Sequence, residues 1–133
     1  MAAIRPVVLV YSDDEPIGHA LRFVLRMEGV DVQLCPDAGA LLASPALAQA
    51  HCLVLKDNLP VLDGCALLRA AREKGADAPA ILLVSRQTLA VTARAAEAGM
   101  WIVLERPILD NRLVDAIMSC LPGRDAALIR TNT

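Results

Sequence analysis

Four apolar residues, Cys52-Leu53-Val54-Leu55, stand between His51 and the charged pair Lys56-Asp57. A short all-apolar run bounded by turn chemistry fits a strand covered on both faces, which places it in the middle of a parallel sheet. The segment Asn58-Leu59-Pro60-Val61-Leu62-Asp63-Gly64 reads as a loop, and a helical pattern follows it. In such sheets ligands gather beyond the carboxyl ends of the strands. Lys56 and Asp57 therefore stand where chemistry is done.

The alternation of strand and helix recurs along the chain. Val7 to Tyr11 reads as a first strand, and Ser12-Asp13-Asp14-Glu15-Pro16 as the entrance to a helix. Acidic residues and Pro suit the first turn of a helix, where backbone N–H groups lack partners. Ile17, Leu21, Val24 and Leu25 recur at helical spacing until Gly29 stops the helix. Val30 to Cys35 alternates as a second strand, and Asp37 is placed to cap a helix through Leu41-Leu42 that Ser44-Pro45 interrupts. Ala46 to Gln49 can add another turn. After the third strand come a helix from about Cys65 to Lys74 and a fourth strand, Ala80 to Val84. A helix capped by Thr88 and closed by Gly99 follows, then a fifth strand, Trp101 to Leu104. A last helix spans about Asp110 to Cys120. Five such units imply a doubly wound parallel sheet of the α/β class with helices on both faces.

At 133 residues the chain has the size of a single domain. Residues 1–121 carry the pattern, and 122–133 form a tail too short for a domain of its own. An apolar content of 56% excludes disorder. The net charge of −2 offers no electrostatic case for nucleic acid or an anionic membrane. No apolar run is long enough to span a bilayer, and the start does not read as a secretion signal. Cys35, Cys52, Cys65 and Cys120 form no C-x-x-C pair and have no His at metal-ligand spacing. They read as small buried hydrophobes in a reducing cytoplasm.

The stretch from Cys52 to Gly64 resembles the phosphoacceptor segment of response-regulator receiver domains (CheY-like). In that family an apolar strand ends in the acceptor Asp, a Pro lies four positions on, and Asp-Gly closes the loop with Gly eight positions on. Counting back from Pro60 and from Gly64 lands both times on Lys56. The resemblance covers residue 7 to about 121. It implies the flavodoxin-like (βα)5 fold with strand order 2-1-3-4-5, and a role in two-component, phosphorelay signal transduction with a sensor kinase as partner.

The resemblance also implies a site at the strand ends. Receivers hold an acidic pair after strand one, which binds a divalent cation through oxygen ligands. They hold the acceptor after strand three, a Ser or Thr after strand four, and a Lys followed by a cis Pro after strand five. The cation and the Lys neutralise charge that spreads over the phosphoryl oxygens. Here Ser85 matches the hydroxyl, and Arg106 replaces the Lys beside a retained Pro107. Two registers are open for the acidic pair: Ser12 with Asp13, or Asp13 with Asp14. Asp13 belongs to the pocket in both. Val103 stands where receivers carry the Tyr or Phe that rotates on activation, so that switch is expected to be missing.

Lys56 decides the functional expectation. An ammonium has no lone pair and cannot form an acyl phosphate. It is expected to pair with Asp13 or Asp14 and take over the charge role of the metal, since unit charges ~4 Å apart interact by about 4 kcal/mol at an intermediate dielectric. A dication would be repelled by Lys56 and Arg106 to a similar degree. Weak or no Mg²⁺ binding, no other cofactor and no enzymatic phosphotransfer are therefore expected. Asp57 is the rival acceptor. Successive strand residues face opposite ways, so Asp57 should point away from Asp13 and read as a solvated loop carboxylate. Asp63 reads as a turn or cap residue, and His19 and His51 as structural.

The leading expectation is a degenerate, phosphorylation-independent receiver that works by protein contact. Its partner face, by resemblance, is the fourth helix, fifth strand and fifth helix, with Arg94, Glu97, Trp101, Val103, Asp110, Arg112 and Asp115 there, open to another signalling protein or to a second copy. With no DNA-binding segment in view, direct transcriptional control is not expected, although the sequence can be a fragment of a longer regulator. Two alternatives stay open. One is a conventional receiver phosphorylated on Asp57. The other is a sensor that binds a small anion through Lys56, Arg106 and Ser85.

Overall fold

The computed structural model describes residues 5–11, 15–57, 63–106 and 111–121, with the backbone alone described for 15–17. Five strands are present: β1 (Val7–Tyr11), β2 (Asp31–Cys35), β3 (Cys52–Lys56), β4 (Ala80–Val84) and β5 (Ile102–Glu105). Between and after them lie α1 (Glu15–Met27), α2 (Ala38–Ala43), a single 3₁₀ turn (Leu47–Gln49), α3 (Gly64–Glu73), α4 (Leu89–Ala98) and α5 (Arg112–Cys120). All strand pairs are parallel and the order is β2-β1-β3-β4-β5. The flavodoxin-like topology expected from the sequence is the one observed.

The period-2 alternation of the central strands builds two cores. Leu9, Leu53, Leu55, Leu82 and Val84 face α2, α3 and α4, where Leu41, Cys65, Leu68 and Ala95 meet them. Val8, Val10, Cys52, Val54, Ile81 and Leu83 face α1 and α5, where Leu21, Leu25, Leu113 and Ile117 meet them. Burial on both faces is why β3 and β4 read as continuous apolar runs.

Local signals set most helix ends. Asp37 accepts from the Ala40 N–H at 2.7 Å, and Thr88 accepts from the Val91 N–H at 3.1 Å. Asp63 caps α3 by accepting from the N–H groups of Cys65 and Ala66. Gly99 ends α4 at φ 90°, a backbone that side chains with a Cβ rarely adopt. Boundaries moved by a residue or two. Val30 is not in β2, because its N–H bonds the Leu25 carbonyl at 2.9 Å and closes α1. β5 runs to Glu105, which pairs with Val84, and excludes Trp101. α5 begins at Arg112. Val24, expected on the buried stripe of α1, is exposed, as are Phe23 and Met27. Among the described residues no helix is long and apolar enough to cross a membrane.

Candidate functional site

β3 ends between β1 and β4, and its last residues go to opposite sides. Lys56 follows Cys52 and Val54 in the alternation, on the α1/α5 side, and is half-buried. Asp57 follows Leu53 and Leu55, on the α3/α4 side, and is buried. Its N–H donates to the Leu83 carbonyl at 2.9 Å, which extends the β3–β4 pairing past the strand.

Each oxygen of the Asp57 carboxylate accepts a hydrogen bond. Oδ1 accepts from the Gly64 N–H at 2.7 Å, and Oδ2 accepts from Arg94 Nη2. The other guanidinium nitrogen of Arg94 donates to Asp63 Oδ1 at 2.9 Å. A single cation on α4 thus bridges the end of β3 and the cap of α3. Burial pulls the Arg94 pKa down. The hydrogen bond to Asp57 and the charges of Cys65, Asp57 and Asp63 outweigh it, so the net shift is upward. Gly64 lets the α3 start approach this closely: a Cβ there would stand 2.5 Å from Leu82 Cδ1 and 3.1 Å from the Lys56 carbonyl.

Two sequence expectations are corrected here. Asp57 is not a solvated loop carboxylate but a buried, ion-paired one. Arg94 does not rim the α4–β5–α5 edge, because its head is turned to Asp57 and Asp63. The physical reason is the same for both: a carboxylate leaving the strand on the covered face needs a charged partner, and α4 supplies it. A sequence signal for Arg94 existed. It is the only cation of an otherwise Ala-rich helix and directly precedes Ala95, the buried residue of α4.

On the neighbouring strand ends, Arg106 Nη2 donates to Ser85 Oγ at 2.7 Å and reaches the Asp57 carbonyl at 3.4 Å. Arg106 Nε is buried, with no hydrogen-bond partner among the described residues. Ser85 and Arg106 therefore meet as the sequence implied. Ser12, Asp13, Asp14, Pro107 and Asp110 lie outside the described residues. Trp101 is 46% exposed, Val103 is half-buried, and Glu97, Arg112 and Asp115 are exposed along the β5 edge. His51 Nδ1 accepts the Val7 N–H at 3.1 Å, and His19 is exposed beside Arg22, so both are structural or surface histidines. The sequence did not single out Phe23 and Met27, which with His19, Arg22 and Arg26 line a shallow cleft on α1.

A hard dication needs several oxygen ligands. The described strand ends present Lys56, Arg106, Ser85, the Asp57 carboxylate paired with Arg94, and Glu105, which accepts from the Gln87 N–H. Among the described residues no group of three or more His, Cys, Asp or Glu could hold a metal ion. The acids that the family pattern gives to the metal, Asp13 and Asp14, lie outside the described residues.

The family model for the response regulator receiver domain matches residues 8–118. The chain belongs to the response regulator receiver domain family. It is 30% identical over 121 residues to the C4-dicarboxylate transport transcriptional regulatory protein DctD of Pseudomonas aeruginosa, covering 91% of this chain and 26% of that protein. It is 31% identical to the transcriptional regulatory protein PrrA of Mycobacterium leprae, covering 91% and 52%. The receiver therefore spans between about a quarter and a half of these curated relatives. Among solved structures, the chemotaxis protein CheY4 of Vibrio cholerae superposes with a TM-score of 0.77 at 20% identity, covering 89% of this chain and all of that one. FixJ-N matches with a TM-score of 0.69 at 26% identity, covering 86% and 92%.

Proposed function

We propose that this receiver works as a phosphorylation-independent interaction module of two-component signalling, with Lys56 fixed where the family keeps its acceptor. The support is the state of Asp57. It is the carboxylate at the end of β3, it faces away from Lys56, and both its oxygens already hold hydrogen bonds. A nucleophile needs a free lone pair aimed at the incoming phosphorus. The Gly64 N–H on Oδ1 and the Arg94 guanidinium on Oδ2 withdraw charge from both oxygens and hold the group inside the protein, which makes Asp57 a poor nucleophile. Lys56 and Arg106 add positive charge where a magnesium ion would enter, so cation binding is weak.

In this reading the internal ion pair replaces the phosphoryl group in setting where α4 lies. A sensor kinase or another signalling protein, or a second copy of the domain, reads the α4–β5–α5 edge through Glu97, Trp101 and Arg112. Incubation with acetyl phosphate and Mg²⁺, followed by intact-mass measurement, tests it. The parent protein should stay unmodified, and Lys56→Asp with Ser12→Asp should gain one phosphate. Phosphate on the parent protein that disappears in Asp57→Ala would instead establish a conventional receiver.

A second reading has one observation in its favour. The Nε of Arg106, without a partner among the described residues and on the guanidinium that holds Ser85, is a donor that a small anion would satisfy. Under this reading inorganic phosphate raises the melting temperature of the parent protein and not that of Arg106→Gln.

A further inference from the structure

Two of this chain's three aromatic residues stand at the surface: Phe23 is 68% exposed and Trp101 46%. Aromatic side chains are enriched at the centres of protein interfaces, where they act as anchors. Among the described residues the large exposed apolar side chains fall in two places. Phe23, Val24 and Met27 share the outer side of α1, and Leu89 and Trp101 lie on the α4–β5 edge. These places are at opposite ends of the sheet, because α1 packs on β2 and Trp101 leads into β5, the two edge strands.

Their charges are opposite in sign. His19, Phe23 and Met27 recur every fourth residue along α1, and Arg22 and Arg26 form the neighbouring row. Arg22 Nη2 donates to His19 Nδ1 at 3.1 Å, and the five side chains line one cleft. Glu28, the acid next to Met27, already has a partner. At the other place, exposed Glu97 precedes Trp101 by four residues, in the last turn of α4. Arg86 and Arg112, the exposed cations of that edge, lie at its far end, where β4 has finished and α5 begins, and Glu105 and Asp115 accompany them there.

We propose that copies of this chain associate head to tail, with the α1 face of one copy (Arg22, Phe23, Arg26 and Met27) seating the Glu97–Trp101 end of the next copy's β5 edge. Like charges oppose the symmetric pairings: α1 against α1 sets arginines against arginines, and the Glu97 end against itself sets carboxylate against carboxylate. The crossed pairing sets guanidinium against carboxylate around apolar anchors, an arrangement that fixes the register of an interface. Because the two faces stand at opposite ends of the sheet, one contact leaves a free face at each end of the pair, and copies add in a row. The assembly rests on the reading above that the β5 edge is a contact surface, and it names a second copy of this chain as the partner.

Analytical ultracentrifugation of the full chain tests the contact. The weight-average mass should rise with concentration past twice the mass of one chain, and fall back towards one chain between about 0.05 and about 0.5 M NaCl as screening tightens. Phe23→Ser with Arg26→Gln should stay monomeric, and so should Glu97→Gln with Trp101→Ser. Each variant keeps one face, so an equimolar mixture should form a 1:1 pair and nothing larger. A parent chain of single-chain mass at every concentration overturns the proposal and leaves the α1 face to a different protein. An α1 variant that still pairs overturns it in favour of a symmetric contact, with the β5 edge still a partner surface. A mixture that stays monomeric overturns it as well. Uptake of phosphate on Asp57 would sink the proposed function and leave the mixing result untouched. The parent-protein measurements stand even if a variant fails to fold.

Discussion

Replacing Arg94 by Met keeps most of the stem but strands a carboxylate inside the protein. Breaking a buried ion pair by removing one partner destabilises by about 3–5 kcal/mol, because the remaining charge is left uncompensated. Here the Asp57 side chain is 7% exposed and that of Arg94 26%. Asp57 also keeps the Gly64 N–H. Both facts argue for the low end, about 3 kcal/mol, of which the 42%-exposed Asp63 supplies no more than about 0.5 kcal/mol as a solvent-facing pair. For a chain of this length that corresponds to a fall in Tm of about 10 °C. Urea unfolding gives the number directly, with the midpoint lowered and the slope unchanged. The double-variant cycle with Asp57→Asn isolates the pair, and a coupling of about 1.5–2 kcal/mol is expected. A cost below about 0.5 kcal/mol, or additive single effects, would refute a clamp between α4 and β3.

Three further outcomes follow from the same geometry. Gly64→Ala drives a methyl into Leu82 and the Lys56 carbonyl and should destabilise by about 1–3 kcal/mol in urea melts, against the usual gain for Gly→Ala in a helix. Thr88→Ala removes the α4 cap and should lose about 1 kcal/mol, with faster amide exchange confined to the first turn of α4. Gly99→Ala forces a Cβ into a backbone at φ 90°. It should lower stability by about 1 kcal/mol, with no steric contact to blame because nothing lies within 4 Å of the added atom.

The sheet was legible because the central strands are apolar runs, β2 alternates at period two, and the connections carry punctuation. Asp37, Asp63 and Thr88 declare themselves as caps by residue type alone, and the structure uses each as one. The pairing of Ser85 with Arg106 was legible only through the family pattern, since the two lie 21 positions apart on separate strand ends. The Arg94 clamp was not read, because it depends on how α4 is laid over α3, and that docking is a tertiary distance no local pattern encodes. Phe23 and Met27 were missed for a different reason. Their apolar type argues for burial, while the neighbouring Leu21 and Leu25 had already filled the stripe that faces the sheet.

The position of one residue relative to the pleat accounts for much of the site. Lys56 and Asp57 are adjacent, so the alternation of the strand sends one to the α1/α5 side and the other to the α3/α4 side. A carboxylate on the second side meets the start of α3, where the Gly64 N–H donates to it, and a helix that offers Arg94. Under the proposed reading, moving the acid by a single position turns an exchangeable nucleophile into a fixed anchor. That displacement also explains why Arg94 is tolerated on α4: with an acid at 56 and none at 57, its guanidinium would lie against the buried face of the helix with only the solvent-facing Asp63 to hold it.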